Sequence, residues 1–222
     1  MTTRQDPVLQ AVMFDMDGLL VDTEPFWFEV ETEIMARLGG SWSRADQARL
    51  IGGSLGAAVD YMLARAAIPA APATVASWLV DGMVALLREG DAPLMPGAGE
   101  LLAEVAAAAI PCALVTSAER PIMDAVIGKL GVAFSATVCA ADVSAAKPDP
   151  GPYLLATKLL GAYPHRCVVL EDSPNGVAAG EAAGCAVVAV PSLVPIPVRS
   201  GRVVADSLAE INLRMLRAIV TG

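Results

Sequence analysis

Strand and helix patterns alternate regularly from Pro96 to the end of the chain, and this alternation constrains the fold more than any other feature. Short apolar runs bounded by Gly, Pro and polar residues indicate buried strands, whereas apolar residues at every third or fourth position indicate amphipathic helices. Such alternation favours an α/β fold in which a doubly wound, parallel, Rossmann-like sheet carries helices on both faces. The predicted strands are residues 112–115, 136–140, 167–170 and 185–190, and the predicted helices are residues 98–109, 121–130, 152–160, 176–183 and 208–220.

A further predicted strand, residues 11–14, precedes this region and ends in two carboxylates, Asp15 and Asp17. An acidic side chain is costly to bury without a partner, so acids at the end of a buried strand indicate catalysis or metal binding. Ligands of open α/β sheets bind just beyond the carboxyl ends of the strands. We therefore expect Asp15 and Asp17 to belong to a functional site.

The segment between this first strand and Pro96 has the periodicity of helices and no convincing strand pattern. Apolar residues recur at every third or fourth position between Gly and Pro breaks, which predicts three or four amphipathic helices. A segment of roughly 70 residues is too long for a loop in a compact domain. We predict that residues 25–93 form an inserted α-helical cap, and that residues 1–24 and 94–222 form the α/β catalytic core.

The acidic composition limits the kinds of partner that the chain can bind. Its 222 residues carry a formal net charge of −9, which disfavours nucleic acid because phosphate backbones attract Lys and Arg. The longest apolar run, residues 105–115, is far shorter than the roughly 20 residues of a membrane-spanning helix, and the first ten residues lack the apolar core of a signal peptide. We expect a cytoplasmic enzyme with no nucleic acid or membrane partner. Small phosphate esters are not excluded as partners, because a local site with a metal can override the global charge. A monomer is the simplest expectation, with a dimer as the alternative.

The cysteines and the single histidine form no recognisable metal or nucleophile motif. No Cys-x-x-Cys pair occurs among the four cysteines, and His165 is the only histidine, whereas zinc sites need closely spaced Cys and His ligands. The sequence also lacks the Gly-x-Ser-x-Gly turn that accompanies many Ser-His-Asp mechanisms. Each cysteine lies at or near a predicted strand, so we expect buried free thiols.

Polar residues follow several of the predicted strands. Taken singly, each group has an ordinary explanation as a turn, a helix cap or an exposed loop. Because the carboxyl ends of parallel strands lie at one edge of a sheet, we expect the groups to converge there. They are Asp15 and Asp17 after the first strand, Thr116 and Ser117 after the second, Lys147 in the loop after the third, and Glu171 and Asp172 at the end of the fourth.

This set of side chains suits phosphoryl transfer. Two or more carboxylates can hold Mg²⁺, which prefers oxygen ligands, and the acids at the end of the fourth strand would complete such a metal shell. Asp15 would be ionised and able to attack phosphorus, giving an aspartyl phosphate. Asp17 would protonate the leaving group and then deprotonate the attacking water. Lys147 and Thr116, with the backbone N–H groups after Thr116, would hold the phosphate oxygens.

In chain order, the segments DMDGLLVDTEP, VTSA, KPDP and LEDSPNGVAAGEAAG resemble the four motifs of the haloacid dehalogenase (HAD) superfamily, over about residues 11–191. The helical block resembles the cap of one subfamily, whose members are mostly Mg²⁺-dependent phosphatases of small phosphate esters, with some phosphoglucomutases. The resemblance implies that Asp15 is the nucleophile and Asp17 the acid/base. It implies phosphate binding by Thr116 and Lys147, with Ser117 beside them, and metal ligation by Asp15, the Asp17 carbonyl and Asp172, with Glu171 close by.

A β-phosphoglucomutase-like isomerase is the alternative to a phosphatase. Such mutases carry a His where this chain has Trp27, and a cap Gly-x-Ser-Arg where this chain has GGSL at residues 52–55, with Arg49 as the nearest arginine. Both departures favour water as the phosphoryl acceptor. The run TEPFW resembles phosphatases of hexose and hexitol phosphates, which favours a sugar or sugar-alcohol phosphate. Trp27, Gly53 and Ser54 are the candidate substrate contacts of the cap.

Two further functions are compatible with the same family. Dehalogenases keep the nucleophile but lack the second acid and need no metal, so Asp17 argues against one. A non-catalytic phosphate binder is the other, and the complete catalytic set argues against it. Metal-dependent hydrolysis of p-nitrophenyl phosphate, abolished in Asp15→Asn, would distinguish a phosphatase from both.

Overall fold

The computed structural model describes residues 9–90, 93–199 and 202–221, so residues 1–8, 91–92, 200–201 and 222 of the predicted core and cap lie outside it. The described strands form one parallel sheet of six in the order β3-β2-β1-β4-β5-β6. This arrangement confirms the predicted fold class. The strands are β1 (Ala11–Phe14), β2 (Cys112–Val115), β3 (Ala136–Val138), β4 (Cys167–Glu171), β5 (Ala186–Ala189) and β6 (Val203–Val204).

The first strand lies in the middle of the sheet, and the strand order reverses beside it. β2 and β3 are added on one side of β1, and β4, β5 and β6 on the other. In the register, Phe14 at the end of β1 pairs with both Leu114 and Leu170. The residues that follow β1, β2 and β4 therefore share one edge, at the switch point where open α/β sheets bind their ligands.

Helices cover both faces of the sheet, as the alternating pattern predicted. Val12 and Phe14 pack into one core with helices α5, α6 and α9, while Ala11 and Met13 pack into a second core with α7 and α8. All four side chains are fully buried, as expected for a strand in a sheet covered on both sides. These helices are α5 (Ala98–Ala107), α6 (Arg120–Leu130), α7 (Gly151–Leu159), α8 (Pro174–Ala182) and α9 (Leu213–Thr221).

Four helices and, among the described residues, no strand occupy the segment between β1 and α5. They are α1 (Glu24–Arg37), α2 (Arg44–Ala48), α3 (Leu55–Leu63) and α4 (Pro72–Glu89). Helices α1 and α4 approach each other closely at Gly82, where an added Cβ would lie 2.8 Å from Val30 Cγ1. The helical content agrees with the sequence pattern, whereas the division at residues 25 and 93 stays a prediction.

Two linkers connect this helical segment, which we call the cap, to the rest of the chain, and they hydrogen-bond to each other. The N–H of Asp22 donates to the Pro93 carbonyl, and the N–H of Met95 donates to the Leu20 carbonyl, both at 2.9 Å. The two crossings therefore form one short antiparallel ribbon.

A second attachment joins α4 to α6. The Lys129 ammonium donates to the Gly90 carbonyl at 2.9 Å and to the Arg88 carbonyl at 3.3 Å. A positive charge at this position complements the negative end of the α4 dipole.

Two predicted elements end differently in the structure. The strand predicted at 136–140 stops at Val138, because the Cys139 N–H bonds to Asp142 Oδ2 at 2.9 Å and the chain turns into a 3₁₀ helix. The helix predicted at 208–220 is a 3₁₀ turn followed by α9, which begins at Leu213 after the Asn212 side chain accepts a hydrogen bond from the Met215 N–H. Both breaks come from side-chain caps that the apolar pattern does not reveal.

The edge strand β6 was missed, because its two residues are too few for any periodicity. The other strand and helix bounds of the core agree with the predictions or differ by one or two residues. All four cysteines are buried free thiols, as predicted. None of the described helices combines the length and the apolar character that crossing a membrane requires.

Candidate active site

Three carboxylates meet beyond the ends of β1 and β4. Asp15 follows β1, Glu171 ends β4 and Asp172 follows it, and an oxygen of each lies within 4.8 Å of the others. All three are buried, with at most 6% of any of them exposed. The convergence predicted from the strand ends is thus present at this edge.

Lys147 is the buried cation of this centre. Its Nζ lies 2.5 Å from Asp15 Oδ1, 2.6 Å from Glu171 Oε1 and 2.9 Å from the Val115 carbonyl, so each of its three hydrogens has an acceptor. Burial alone would lower the pKa of Lys147, but Asp15 and Glu171 raise it above its usual value. The ammonium therefore stays charged beside Asp15.

Glu171 is fully buried and hydrogen-bonded through both oxygens. Its Oε1 accepts from Lys147 and from the Tyr153 hydroxyl at 2.7 Å, and its Oε2 accepts from the backbone N–H of Asp172 at 3.1 Å and from the Ser173 backbone and hydroxyl. An added Cβ at Gly176 would lie 1.7 Å from Oε1. The carboxylate thus occupies a space that only glycine leaves open, and its bonds hold Lys147 in position.

Asp17 is held by two hydroxyl groups. Thr23 Oγ1 donates to Oδ1 at 2.7 Å, and Thr116 Oγ1 donates to Oδ2 at 3.1 Å. Burial raises the pKa of Asp17, while hydrogen bonds from Thr23, Thr116 and Trp27 oppose the rise. The Thr116 hydroxyl, which is predicted to bind phosphate, therefore also orients Asp17, the predicted acid/base.

Asp172 lies where the loops after β1 and β4 come closest. Its Oδ2 accepts from the Ser192 hydroxyl at 2.5 Å, and an added Cβ at Gly18 would lie 2.3 Å from the same oxygen. Gly18 also has a φ of +77°, so a side chain there would be strained and overlapping at once. Burial, and then repulsion from Glu171, raises the pKa of Asp172 to about 8.

Negative charge exceeds positive charge in this centre. Burial, followed by the neighbouring acids, raises the pKa of Asp15 well above its usual value, although Lys147 lowers it. Among the described residues that line the pocket above, Lys147 is the single cation. A divalent cation held by carboxylate oxygens would relieve this imbalance, and the donor set is the type that Mg²⁺ prefers.

The pocket lies between these groups and the cap. Of the predicted site residues, all except Glu171 line it, including the cap candidates Trp27, Gly53 and Ser54. Glu171 lies behind Lys147, as its hydrogen bonds indicate. Arg49, the nearest arginine to the GGSL segment, is exposed and does not line the pocket.

The cap also contacts the core at the Gly52 turn. Asn175 Nδ2 donates to the Gly52 carbonyl at 3.0 Å. An added Cβ at Gly52 would lie 2.7 Å from Ser173 Cβ, and Gly52 has a φ of +67°. The turn of the cap at Gly52 thus lies directly on the first turn of α8.

Polar cap residues that the sequence reading missed also line the pocket. Glu24, Trp27 and Glu31 occupy positions i, i+3 and i+7 of α1, and this spacing places all three on one helix face. Glu31 is 4% exposed, and Gln47 donates to both the carbonyl and the carboxylate of Glu24. The spacing of these three residues is present in the sequence, but apolar periodicity identifies only the packed face of a helix and does not reveal it.

Known proteins resemble this chain in both sequence and fold. Residues 9–184 match the family model described as haloacid dehalogenase-like hydrolase. The chain is 32% identical to hexitol phosphatase B of Escherichia coli over 185 residues, which cover 82% of this chain and 83% of that protein.

Solved structures share the whole fold. CbbY of Rhodobacter sphaeroides, in complex with xylulose-(1,5)bisphosphate, matches with a TM-score of 0.87 at 29% identity and covers 94% of this chain and 99% of its own. A β-phosphoglucomutase of Clostridium difficile matches with a TM-score of 0.83 at 22% identity over 96% of this chain and 97% of its own. At that identity the second likeness concerns the fold alone.

Proposed function

We propose that this chain, which belongs to the haloacid dehalogenase-like hydrolase family, is a Mg²⁺-dependent phosphatase of a small sugar or sugar-alcohol phosphate. The observation that carries the proposal is the buried pair of Asp15 and Lys147, 2.5 Å apart in the lining of the pocket, with Asp17 two residues along the chain. A nucleophile, a phosphate-binding cation and a proton carrier are thereby within reach of one substrate phosphate.

In the first half of the proposed reaction, Asp15 attacks phosphorus and forms an aspartyl phosphate. Lys147 offsets the repulsion between the Asp15 carboxylate and the substrate phosphate and binds the phosphate oxygens. The bond between phosphorus and the leaving oxygen breaks, and Asp17 gives that oxygen its proton. Thr116 and the N–H groups that follow it, beginning at Ser117, hold the remaining oxygens.

In the second half, Asp17 takes a proton from water, and the water oxygen attacks the aspartyl phosphate. The bond between Asp15 and phosphorus breaks, so inorganic phosphate leaves and the carboxylate is regenerated. Asp17 returns to its protonated state, ready for the next substrate. The hydrogen bonds from Thr23 and Thr116 keep the Asp17 carboxylate oriented for both transfers.

Asp15, Asp172 and the Asp17 carbonyl would hold the Mg²⁺ ion. The ion supplies positive charge that stabilises the charge developing on the phosphoryl oxygens. Glu171 belongs to the same carboxylate group, but its existing hydrogen bonds support a role in holding Lys147. Replacing those bonds by a metal bond would release the ammonium from one of its anchors.

The isomerase remains the second candidate, and the cap favours hydrolysis over it. A mutase must hold a second phosphate, and the GGSL turn at the pocket contributes no cation to do so. Trp27, in place of a His, lies beside Asp17. Both observations support water as the acceptor.

The proposed function is tested by phosphate release from p-nitrophenyl phosphate and from a panel of sugar and sugar-alcohol phosphates. We expect activity that EDTA removes and Mg²⁺ restores, and a loss of about 1,000-fold or more in Asp15→Asn with an unchanged circular dichroism spectrum. Full activity without metal would contradict the mechanism. Conversion of glucose 1-phosphate to the 6-phosphate at the rate of hydrolysis would favour the mutase.

A further inference from the structure

Glu31 is a buried acid that the proposed mechanism does not use. It lies on α1 in the wall of the pocket that faces Asp15 and Lys147, and 4% of its surface is exposed. Burying a carboxylate among apolar helices is costly unless its oxygens are paired. A helix that only packed against the core would place an apolar residue there.

Among the described residues, only one of the two Glu31 oxygens has a hydrogen-bond partner. Trp42 Nε1 donates to Oε2 at 2.9 Å, and the Trp42 ring packs edge-on against Tyr61 with 5.8 Å between centroids. In the described part of the chain no hydrogen bond reaches Oε1. The bond from Trp42 thus fixes the orientation of the carboxylate through Oε2, while Oε1 of this pocket-lining residue remains available as an acceptor.

The other residues that line the pocket limit the kind of group that Glu31 can bind there. The cap side of the pocket adds Glu24, itself bound by Gln47, and the apolar side chains Leu50 and Ile51. The one cation among the described lining residues, Lys147, is engaged at the core end. A second phosphate or a carboxylate would meet acids here, whereas a hydroxyl group can donate to an acid while its carbon chain contacts Leu50 and Ile51.

We infer that Glu31 is a specificity-determining residue that accepts a hydrogen bond from a hydroxyl of an uncharged polyol chain, and so selects polyol monophosphates against bisphosphates. This inference rests on the proposed function and specifies its substrate class. A site built to hydrogen-bond a substrate hydroxyl discriminates strongly against analogues that lack it, because its polar group is then left unpaired. Trp42 acts as a positioning residue through its bond to Glu31.

The test compares substrates that differ in the group facing Glu31. We would measure kcat/KM for a hexitol 6-phosphate, for p-nitrophenyl phosphate, which has no hydroxyl, and for a hexose bisphosphate. Glu31→Leu should lower kcat/KM for the hexitol phosphate about 100-fold, and Glu31→Gln should lower it about 10-fold. In both variants kcat/KM for p-nitrophenyl phosphate should stay within about twofold of the wild-type value. The wild-type enzyme should prefer the hexitol phosphate over the bisphosphate by about 100-fold.

Glu31→Gln keeps the size of the side chain and an acceptor for Trp42, so it guards against misfolding of the leucine variant. Glu29→Gln, an exposed position on α1 outside the pocket, is the matched control and should leave every rate unchanged. Free hexitol should inhibit p-nitrophenyl phosphate hydrolysis by the wild type and lose most of that inhibition in Glu31→Gln.

Three results would overturn the inference: equal losses on hexitol and nitrophenyl substrates, no loss on either, or a wild-type enzyme that hydrolyses the bisphosphate as well as the monophosphate. Each leaves the phosphatase assignment standing. A wild-type enzyme with Mg²⁺ that hydrolyses neither monoester would instead overturn the proposed function, and the inference with it.

Discussion

Glu171 is the residue on which the arrangement of the charged centre depends, although it does not line the pocket. One of its oxygens anchors Lys147, and the other accepts from the backbone N–H groups of Asp172 and Ser173, just before α8. Gly176 leaves the only space in which that carboxylate fits, since an added Cβ would overlap it. At the scale of single residues, the position of Lys147 therefore depends on a glycine that acts through Glu171.

Gly176→Ala should displace Glu171 and, through it, Lys147. We expect the free energy of unfolding to fall by about 2 kcal/mol, the usual effect of overpacking, and kcat/KM for p-nitrophenyl phosphate to fall by at least about 100-fold. Urea unfolding and steady-state kinetics measure the two effects. Gly128→Ala is the control, because it lies on the exposed side of α6 with no atom within 4 Å of an added Cβ, and it should be neutral or stabilising.

Glu31 should make the protein less stable as the pH rises. Burial raises its pKa from 4.5 to about 7, a difference of about 3 kcal/mol, with the Trp42 N–H opposing the rise and the Glu24 carboxylate adding to it. Between pH 4.5 and pH 7 the folded state holds a proton that the unfolded state releases, so the stability contributed by the protonated acid is lost across that window.

Glu31→Gln should remove this loss. Relative to the wild type, its free energy of unfolding should be higher by up to about 3 kcal/mol at pH 8 and about equal at pH 4.5. Urea titrations at several pH values give the difference directly, with Glu29→Gln as the flat reference. A gap that widens toward low pH would contradict the argument.

At the scale of elements, the sequence predicted the strand ends well and the cap surface poorly. Short apolar runs followed by Asp15, Thr116 and Glu171 predicted both the sheet and the edge where these residues meet, because a parallel sheet leaves no other place for them. The face of α1 that carries Glu24 and Glu31 was not predicted, because apolar periodicity identifies the packed residues and not the polar ones among them. The orientation of the Glu31 carboxylate depends on its hydrogen bond from Trp42, and such a contact between a helix and a loop has no signature in the apolar pattern.

The contact between the cap turn and α8 should contribute to substrate retention. Asn175→Ala removes the hydrogen bond to the Gly52 carbonyl, and one such bond is worth about 1 kcal/mol, or about fivefold in an equilibrium. We expect KM for a sugar phosphate to rise about fivefold, with the melting temperature within about 3 °C of the wild type. Asn212→Ala is the control: it removes the cap of helix α9 and should lower stability without changing KM. If both variants raised KM equally, the contact between the cap turn and α8 would have no specific part in substrate retention.

At the scale of the whole molecule, the folded chain concentrates negative charge at its centre as well as on its surface. The formal net charge is −9, and the buried site brings Asp15, Asp17, Glu171 and Asp172 around one lysine. Folding without a cation therefore works against repulsion that burial strengthens. The acidic site therefore lowers the stability of the metal-free protein, and a bound divalent ion would restore part of that stability.

Mg²⁺ should accordingly raise the melting temperature of the protein. At about 100 times its Kd the ion adds about 2.7 kcal/mol, which for a chain of this size is about 5 to 10 °C. At pH 7, Asp172→Asn should raise the melting temperature of the metal-free protein, because folding no longer has to protonate an acid whose pKa burial raises to about 8. The substitution should also abolish most of the Mg²⁺-dependent gain. Differential scanning fluorimetry in EDTA and in Mg²⁺ measures both, and an Asp172→Asn protein that still gained the full increment would exclude Asp172 as a ligand.

The ribbon formed by the two linkers lies next to the predicted acid/base in the chain. Asp22 and Met95 donate the hydrogen bonds that join its two strands, and Thr23, which follows Asp22, is the N-cap of α1. Thr23 is also the residue whose hydroxyl holds Asp17. Thr23 thus belongs at once to the linker, to the start of the first cap helix and to the pair of hydroxyls that orient Asp17, so a displacement of this linker would act on one of the two hydrogen bonds that hold the predicted acid/base.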